Sequence, residues 1–150
     1  MLFRSAVIFS LPFLLAAWRE MPLRELDFAG LAIAALALAG ESLADRQMKR
    51  FKADAANKGR VCEAGLWRFS RHPNYFFEFA FWVGIFVASI DTPRGWLTVV
   101  CPLLMYYILT RVTGIPLTEE YAVKSKGDAY REYQRTTSAF VPWFRKSSKP

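Results

Sequence analysis

The run Arg71-His72-Pro73-Asn74-Tyr75-Phe76-Phe77-Glu78 gathers a cation, the chain's single histidine, an amide and a carboxylate into two helical turns. Proline is favoured at the first helical position, where its missing N–H costs nothing, so the run predicts a helix starting at Pro73. The free N–H groups of that start, with Arg71 and His72 beside them, suit a phosphate or a diphosphate. Asn74 carries a donor and an acceptor side by side and can match a carboxamide. Glu78 follows one turn later on the same face, inside the apolar run from Phe76 to Trp82. An ionisable group in such a run is costly and points to function. The plainer alternatives are a structural bridge from Glu78 to Arg68 or Arg71, and an interfacial cap for His72.

Two further groups could serve the same chemistry. Glu41, Asp45, Lys49 and Lys52 fall at i, i+4, i+8 and i+11, on one helical stripe. Their carboxylates can accept from hydroxyl or amide groups and their lysines can meet phosphate. The alternative is a solvated helix end with Asp45 paired to Lys49. Arg111 with Glu119, Glu120 and Tyr121 forms the third group; compensation of helix dipoles would explain the charges equally well. Cys62 and Cys101 lie far apart and, with one histidine, make no recognisable zinc pattern, so reduced thiols and no metal are expected.

The elements that must position these residues are apolar. Hydrophobic residues make up 53% of the 150-residue chain, yet the net charge is +7. In a soluble protein that balance would suggest nucleic acid. Here the charges are segregated from four apolar segments, Leu2–Trp18, Phe28–Ala44, Tyr75–Ile90 and Trp96–Thr110. Each is slightly short of the ~20 residues that span a hydrocarbon core. The expectation is a single-domain, all-α polytopic membrane bundle of about four transmembrane helices, with short cytoplasmic helices at its C-terminal end, and with the bilayer rather than nucleic acid as its partner.

Charge supplies an orientation. Basic residues crowd the stretch from Arg46 to Arg71 and the tail after Arg111, whereas the other side shows Arg19, Arg24 and Arg94. The positive-inside bias puts both termini and the long loop in the cytoplasm, and Trp18, Trp96 and Trp143 fall where interfacial anchors belong. The first segment could instead be a signal peptide with Arg4 in its n-region, but no clean small-residue cleavage site precedes Trp18.

Local signals add detail. The stretch Gly30–Gly40 is rich in small residues, which lets helices approach closely in lipid. Its helix should run on to Ala56 and end at Asn57-Lys58-Gly59. Thr92-Pro93-Arg94-Gly95 predicts a tight turn. Gly114-Ile115-Pro116 should break the fourth helix, with a polar helix from about Thr118. Lys126-Gly127-Asp128 interrupts that helix before a further turn or two from Ala129 to Arg135. The apolar end Ala139–Phe144 is expected to dock on the membrane surface. Most aromatic residues, Phe13 and Phe76 among them, are expected to face lipid or core, and a minority to line an apolar substrate cavity.

The stretch Gly65-Leu-Trp-Arg-Phe-Ser-Arg-His-Pro-Asn-Tyr-Phe-Phe-Glu78 resembles the signature of the DUF1295 membrane proteins, which are grouped with the steroid 5-alpha-reductase C-terminal superfamily. Gly114-Ile-Pro-Leu-Thr-Glu-Glu-Tyr121, Tyr130-Arg-Glu-Tyr-Gln-Arg135 and Phe140-Val-Pro-Trp143 fit the same pattern, and the resemblance runs from about Phe28 onward. It implies a C-terminal half that holds NADPH and a reaction that reduces the carbon–carbon double bond of an apolar, steroid-like or isoprenoid enone. Hydride would pass to the β carbon and an acid would protonate the enolate. By position, Glu41 and Asp45 resemble the polar contacts of the second helix to the cofactor. Asn74 and Glu78 resemble the pair beside the nicotinamide and its ribose. Arg71, His72 and Arg111 resemble diphosphate contacts, Lys52 a cation for the adenosine phosphate, and Glu119 and Tyr121 further cofactor contacts.

Family reductases have additional helices before this region, which supply the substrate pocket and the groups that polarise the enone. The resemblance therefore implies a reductase or its cofactor-binding half, with a truncated longer form or a homo-oligomer that completes a cavity as the expectations. The proton donor is unassigned, with Tyr106 or Tyr107 as candidates. The Arg-His-Pro core and paired glutamates are also similar to methyltransferases of the isoprenylcysteine carboxyl type, which would imply S-adenosylmethionine. Asn74-Tyr-Phe-x-Glu78 and the loop lysines favour the reductase. A third alternative is a membrane scaffold without catalysis.

Overall fold

A computed structural model of the chain describes Ser10 and residues 22–147. The first apolar segment, with Arg4, Phe13, Trp18 and Arg19 and the signal-peptide alternative, lies outside the described residues apart from Ser10. Among the described residues the fold is all-α, with no strand and one parallel bridge between Ser70 and Ser138.

Helix α1 spans Glu25–Ala53. Asp27 accepts from the Arg24 N–H at 2.6 Å, which satisfies a donor at the helix start. Glu25 and Asp27 in its first turn, and Arg50 and Lys52 in its last, match the helix dipole. The helix stops short of the expected Ala56. The Asp54 carboxylate accepts from the Ala56 N–H at 2.9 Å and diverts the backbone into a 3-10 turn at Ala55–Asn57. Gly59, at φ 79°, then reverses the chain.

Helix α2 spans Pro73–Ser89 and begins at the proline, as expected. The turn after it is closed by Thr92 Oγ1 donating to the Ser89 carbonyl at 2.7 Å and by Gly95 N–H donating to the Thr92 carbonyl at 2.8 Å. A 3-10 stretch, Gly95–Val99, leads into α3, Val100–Tyr107, and a π-helical turn, Ile108–Val112. After Gly114 come α4, Ile115–Lys126, and α5, Asp128–Thr136. Pro116 sits in the first turn of α4, where it is tolerated, so the polar helix starts slightly earlier than expected.

Among the described residues, two of the four expected membrane-spanning segments fall in helices with the length and apolarity to cross a bilayer. Glu25–Ala53 and the continuous run Gly95–Lys126 are long and apolar enough to cross a bilayer. The apolar part of the second run ends at Arg111, and α4, with Glu119, Glu120, Lys124 and Lys126, lies beyond it. The third expected segment is helical as far as Ser89, with Pro73 fixing the helix start and the Ser89–Thr92 turn its end. That leaves 17 residues, about 26 Å at the usual rise against a core of ~30 Å.

The chain divides into two compact units. Among the described residues the first comprises 22–38 with 78–107, the second 39–77 with 108–147. In the first unit α1 and α2 meet backbone to backbone. A Cβ on Gly30 would lie 2.3 Å from the Ala88 nitrogen, and one on Gly84 2.6 Å from the Ala34 nitrogen. This is the close approach that the small-residue stretch predicts.

In the second unit the loop before α2 is tied to α1 and to the tail. Trp67 Nε1 donates to the Ala44 carbonyl at 3.0 Å, and the Leu66 N–H donates to Gln47 Oε1 at 2.9 Å. The Arg71 N–H donates to the Ser138 carbonyl at 2.9 Å, the Trp143 N–H to the Phe69 carbonyl at 2.9 Å, and Ser70 Oγ to the Phe140 carbonyl at 2.8 Å. Phe140 is buried, while Val141, Trp143 and Phe144 are exposed.

Candidate functional site

The second unit carries a half-open cavity of about 310 Å³. Asp45 and Lys52 reach it from α1, Arg71 and His72 from the loop, Asn74 from the first turn of α2, and Lys126 and Tyr130 from α4 and α5. Cys62 and Thr118 also line it.

Arg71 is held from three directions. Its Nε donates to Glu119 Oε1 at 2.6 Å, and its Nη1 donates to the carbonyls of Gln134 at 2.9 Å and Thr137 at 2.5 Å. His72 Nε2 lies 3.2 Å from the same Glu119 oxygen. A carboxylate only accepts, so Nε2 carries the proton in this contact. The His72 ring also stacks on Tyr75, with centroids 5.3 Å apart and planes at 4°. The His72 backbone N–H donates to Ser70 Oγ at 3.1 Å, which fixes the entry to α2. Gln134 Nε2 donates to the second Glu119 oxygen at 2.8 Å.

Both oxygens of Glu119 are thus occupied. Burial opposes its ionisation most strongly as a single effect. The bonds from His72, Arg71 and Gln134, with the Arg71 charge, together outweigh it and hold the carboxyl down at about 2. Burial above all, then the Glu119 charge, pushes the Tyr130 hydroxyl up to about 12 against the pull of Arg71. Tyr133, also buried, donates its hydroxyl to the Trp67 and Ser70 carbonyls and so locks the loop below the cavity.

Asn74 differs from its neighbours. Its Oδ1 is buried and has no hydrogen-bond partner among the described residues. A buried acceptor left unmatched costs about 1–3 kcal/mol, so an acceptor on the wall of a cavity calls for a donor from a ligand. Thr137 Oγ1 is likewise unmatched, but it does not line this cavity.

The ten residues singled out from the sequence therefore separate. Asp45, Lys52, Arg71, His72 and Asn74 line one cavity, and Glu119 adjoins it through Arg71 and His72. Glu41 lies one turn before Asp45 on α1 and does not line it. Glu78, one turn beyond Asn74 on α2, belongs to the first unit. Arg111 is exposed in the π-helical turn, and Tyr121 is 71% exposed on α4. Sequence reasoning passed over Lys126, Tyr130, Tyr133 and Gln134. The last three share one face of a helix by their spacing, a signal that was available.

No curated protein and no solved structure matches the chain. A protein-family profile, described as "Protein of unknown function (DUF1295)", matches residues 4–137. With most of its length matched, from before the first described helix to the end of α5, the chain belongs to the DUF1295 family.

Proposed function

We propose that this membrane protein is an NADPH-dependent reductase, or the cofactor-binding half of one, that reduces the carbon–carbon double bond of an apolar steroid-like or isoprenoid enone. Membership of DUF1295 is consistent with a steroid 5-alpha-reductase-like superfamily, and two apolar helices support a membrane setting. The observation that carries the reading is the unmatched Asn74 Oδ1 in a cavity that also presents Asp45, Lys52, Arg71 and His72. This set fits a dinucleotide: a carboxamide acceptor, a carboxylate for hydroxyl groups, and cations for phosphates.

When bound, NADPH supplies hydride to the β carbon of the enone. The chain's own residues bind and orient. Asn74 accepts from the amide of the nicotinamide, Asp45 accepts from a ribose hydroxyl, and Arg71 and Lys52 face the phosphates. Glu119 takes no part in contacting the cofactor in this reading. It holds Arg71 and His72 in place before the ligand arrives, which lowers the ordering cost of binding.

The test is thermal unfolding of the purified chain in detergent with NADPH, NADH and S-adenosylmethionine. NADPH is expected to raise the midpoint, as a ligand bound to the folded state must. Asn74→Ala should weaken NADPH binding by about tenfold, the worth of a lost hydrogen bond in a buried site, with the unliganded midpoint little changed. A response to S-adenosylmethionine alone would replace the reading with a methyltransferase. Silence towards all three ligands would leave a scaffold.

A further inference from the structure

We propose that a cleft between the end of α5 and the tail holds the headgroup of an anionic phospholipid. The phosphodiester sits at Thr137 and Lys146, and the glycerol and acyl carbons lie on Trp143 and Phe144. The cleft, of about 320 Å³, belongs to the second unit. It shares no lining residue with the Asn74 cavity, so the proposal stands apart from the dinucleotide reading. Thr137 lines it and is 3% exposed, and its Oγ1 is buried with no hydrogen-bond partner among the described residues. A buried hydroxyl left unmatched is unfavourable. On the wall of a cleft it calls for an oxygen from a ligand.

The cations around the cleft are sorted by their partners. Arg135 lines it but is paired with Glu132. Arg145 is paired with Glu63 and donates its Nε to Thr136 Oγ1 at 3.1 Å. Lys146 joins no ion pair among the described residues, although its backbone N–H is fixed on the Thr136 carbonyl at 2.9 Å. No carboxylate lines the cleft, so the ligand it matches is an anion. The C-terminal end of α5 opposes an anion by its dipole. Its carbonyls are already taken, however, that of Tyr133 by the Thr137 N–H, that of Gln134 by Arg71 and that of Thr136 by Lys146. Trp143 and Phe144 are 67% and 79% exposed, with ring centroids 6.4 Å apart. Exposed aromatics beside cations suit the membrane interface, where basic clefts take anionic headgroups. Free phosphate would fill only the polar half of the cleft. A two-fold contact with a second copy would set Lys146 and Arg135 against like charges. A phospholipid satisfies both halves.

Native mass spectrometry of the full chain in detergent counts the lipids retained as phosphatidylglycerol or phosphatidylcholine is titrated in. One phosphatidylglycerol is expected to saturate a site at least about tenfold tighter than phosphatidylcholine, the worth of a charge-assisted hydrogen bond. Lys146→Ala should abolish that preference, and Trp143→Ala should weaken retention of both lipids. Thr137→Val should weaken phosphatidylglycerol by about threefold to tenfold. The same variant should raise the unfolding midpoint of the lipid-free chain, because it deletes an unmatched hydroxyl. Thr137 is extended, at φ −118° and ψ 138°, a conformation that valine adopts readily. A lowered midpoint would mean that the hydroxyl is paired in the empty cleft, and would overturn the site. So would equal retention of the two lipids, a preference that survives Lys146→Ala, or displacement of the lipid by an equal concentration of inorganic phosphate. A dimer that forms without lipid and dissociates in Trp143→Ala would give the cleft to a second copy instead.

Discussion

Glu119 is the residue whose role changes most between sequence and structure. Read along the chain, it is one of two acids near a helix start, or a cofactor contact by resemblance. In the folded chain its two oxygens are spent on Arg71, His72 and Gln134. Its neighbour Glu120 takes the exposed position and pairs with Lys124 at 2.5 Å. Nothing local distinguishes the two, because the distinction comes from partners distant in sequence. By contrast, the meeting of Asn74 and His72 at one cavity was legible, since a proline helix start beside a cation and an amide is a local signal. A titration follows from Glu119. Its ordinary carboxyl value of 4.5 is lowered to about 2 by folding, so the unfolded chain takes up the proton first as pH falls. The stability it contributes is complete above about 4.5 and is lost as pH drops towards about 2. Unfolding midpoints in detergent from pH 6 to pH 3 should fall less steeply for Glu119→Gln than for the parent chain. Parallel profiles would mean that Arg71 and His72 do not hold this carboxylate.

At the scale of elements, the starts and stops were the most legible features. Pro73 begins α2, Arg94 at φ 64° marks the tight turn, and Gly127 at φ 56° separates α4 from α5. The first and the last are set by proline and glycine stereochemistry, which sequence displays directly. The end of α1 was misplaced because Asp54 competes for the backbone, a choice that helix propensity alone does not reveal. Composition says that α2 is apolar, while its length is decided by Pro73 at its start and the Ser89–Thr92 turn at its end. The small-residue stretch was legible as a contact surface, but its partner was not. That partner is Gly84 of α2, whose carbonyl lies 2.5 Å from a Cβ built on Gly30. Gly84→Ala should therefore destabilise the first unit by about 1–3 kcal/mol, the usual cost of overpacking. The Cβ would meet the backbone of Ala34 and Gly30, which has no rotamer to relax into. An unchanged unfolding midpoint for this variant would show that the helices do not touch there.

For the molecule as a whole, the second unit constrains topology in a way that hydropathy cannot. Its loop and its tail are joined by backbone bonds, Arg71 N–H to Ser138 and Trp143 N–H to Phe69, both at 2.9 Å. Segments paired in this way must share one side of the membrane, whichever number of helices crosses it. The same two segments carry most of the basic residues, so the positive-inside bias assigns that side to the cytoplasm as a proposal. Single cysteines at Lys58→Cys and Ser147→Cys test both statements, because both positions are exposed and the native thiols are 5% and 1% exposed. A membrane-impermeant thiol reagent should label both positions in inside-out vesicles and neither in intact cells. Labelling of one position from each side would break the pairing of loop and tail, and with it the wall that carries Arg71 and His72. Labelling of both from outside would keep that wall but reverse the orientation, so the cavity would open away from the cytoplasmic pool of NADPH and the proposed cofactor would lose its access.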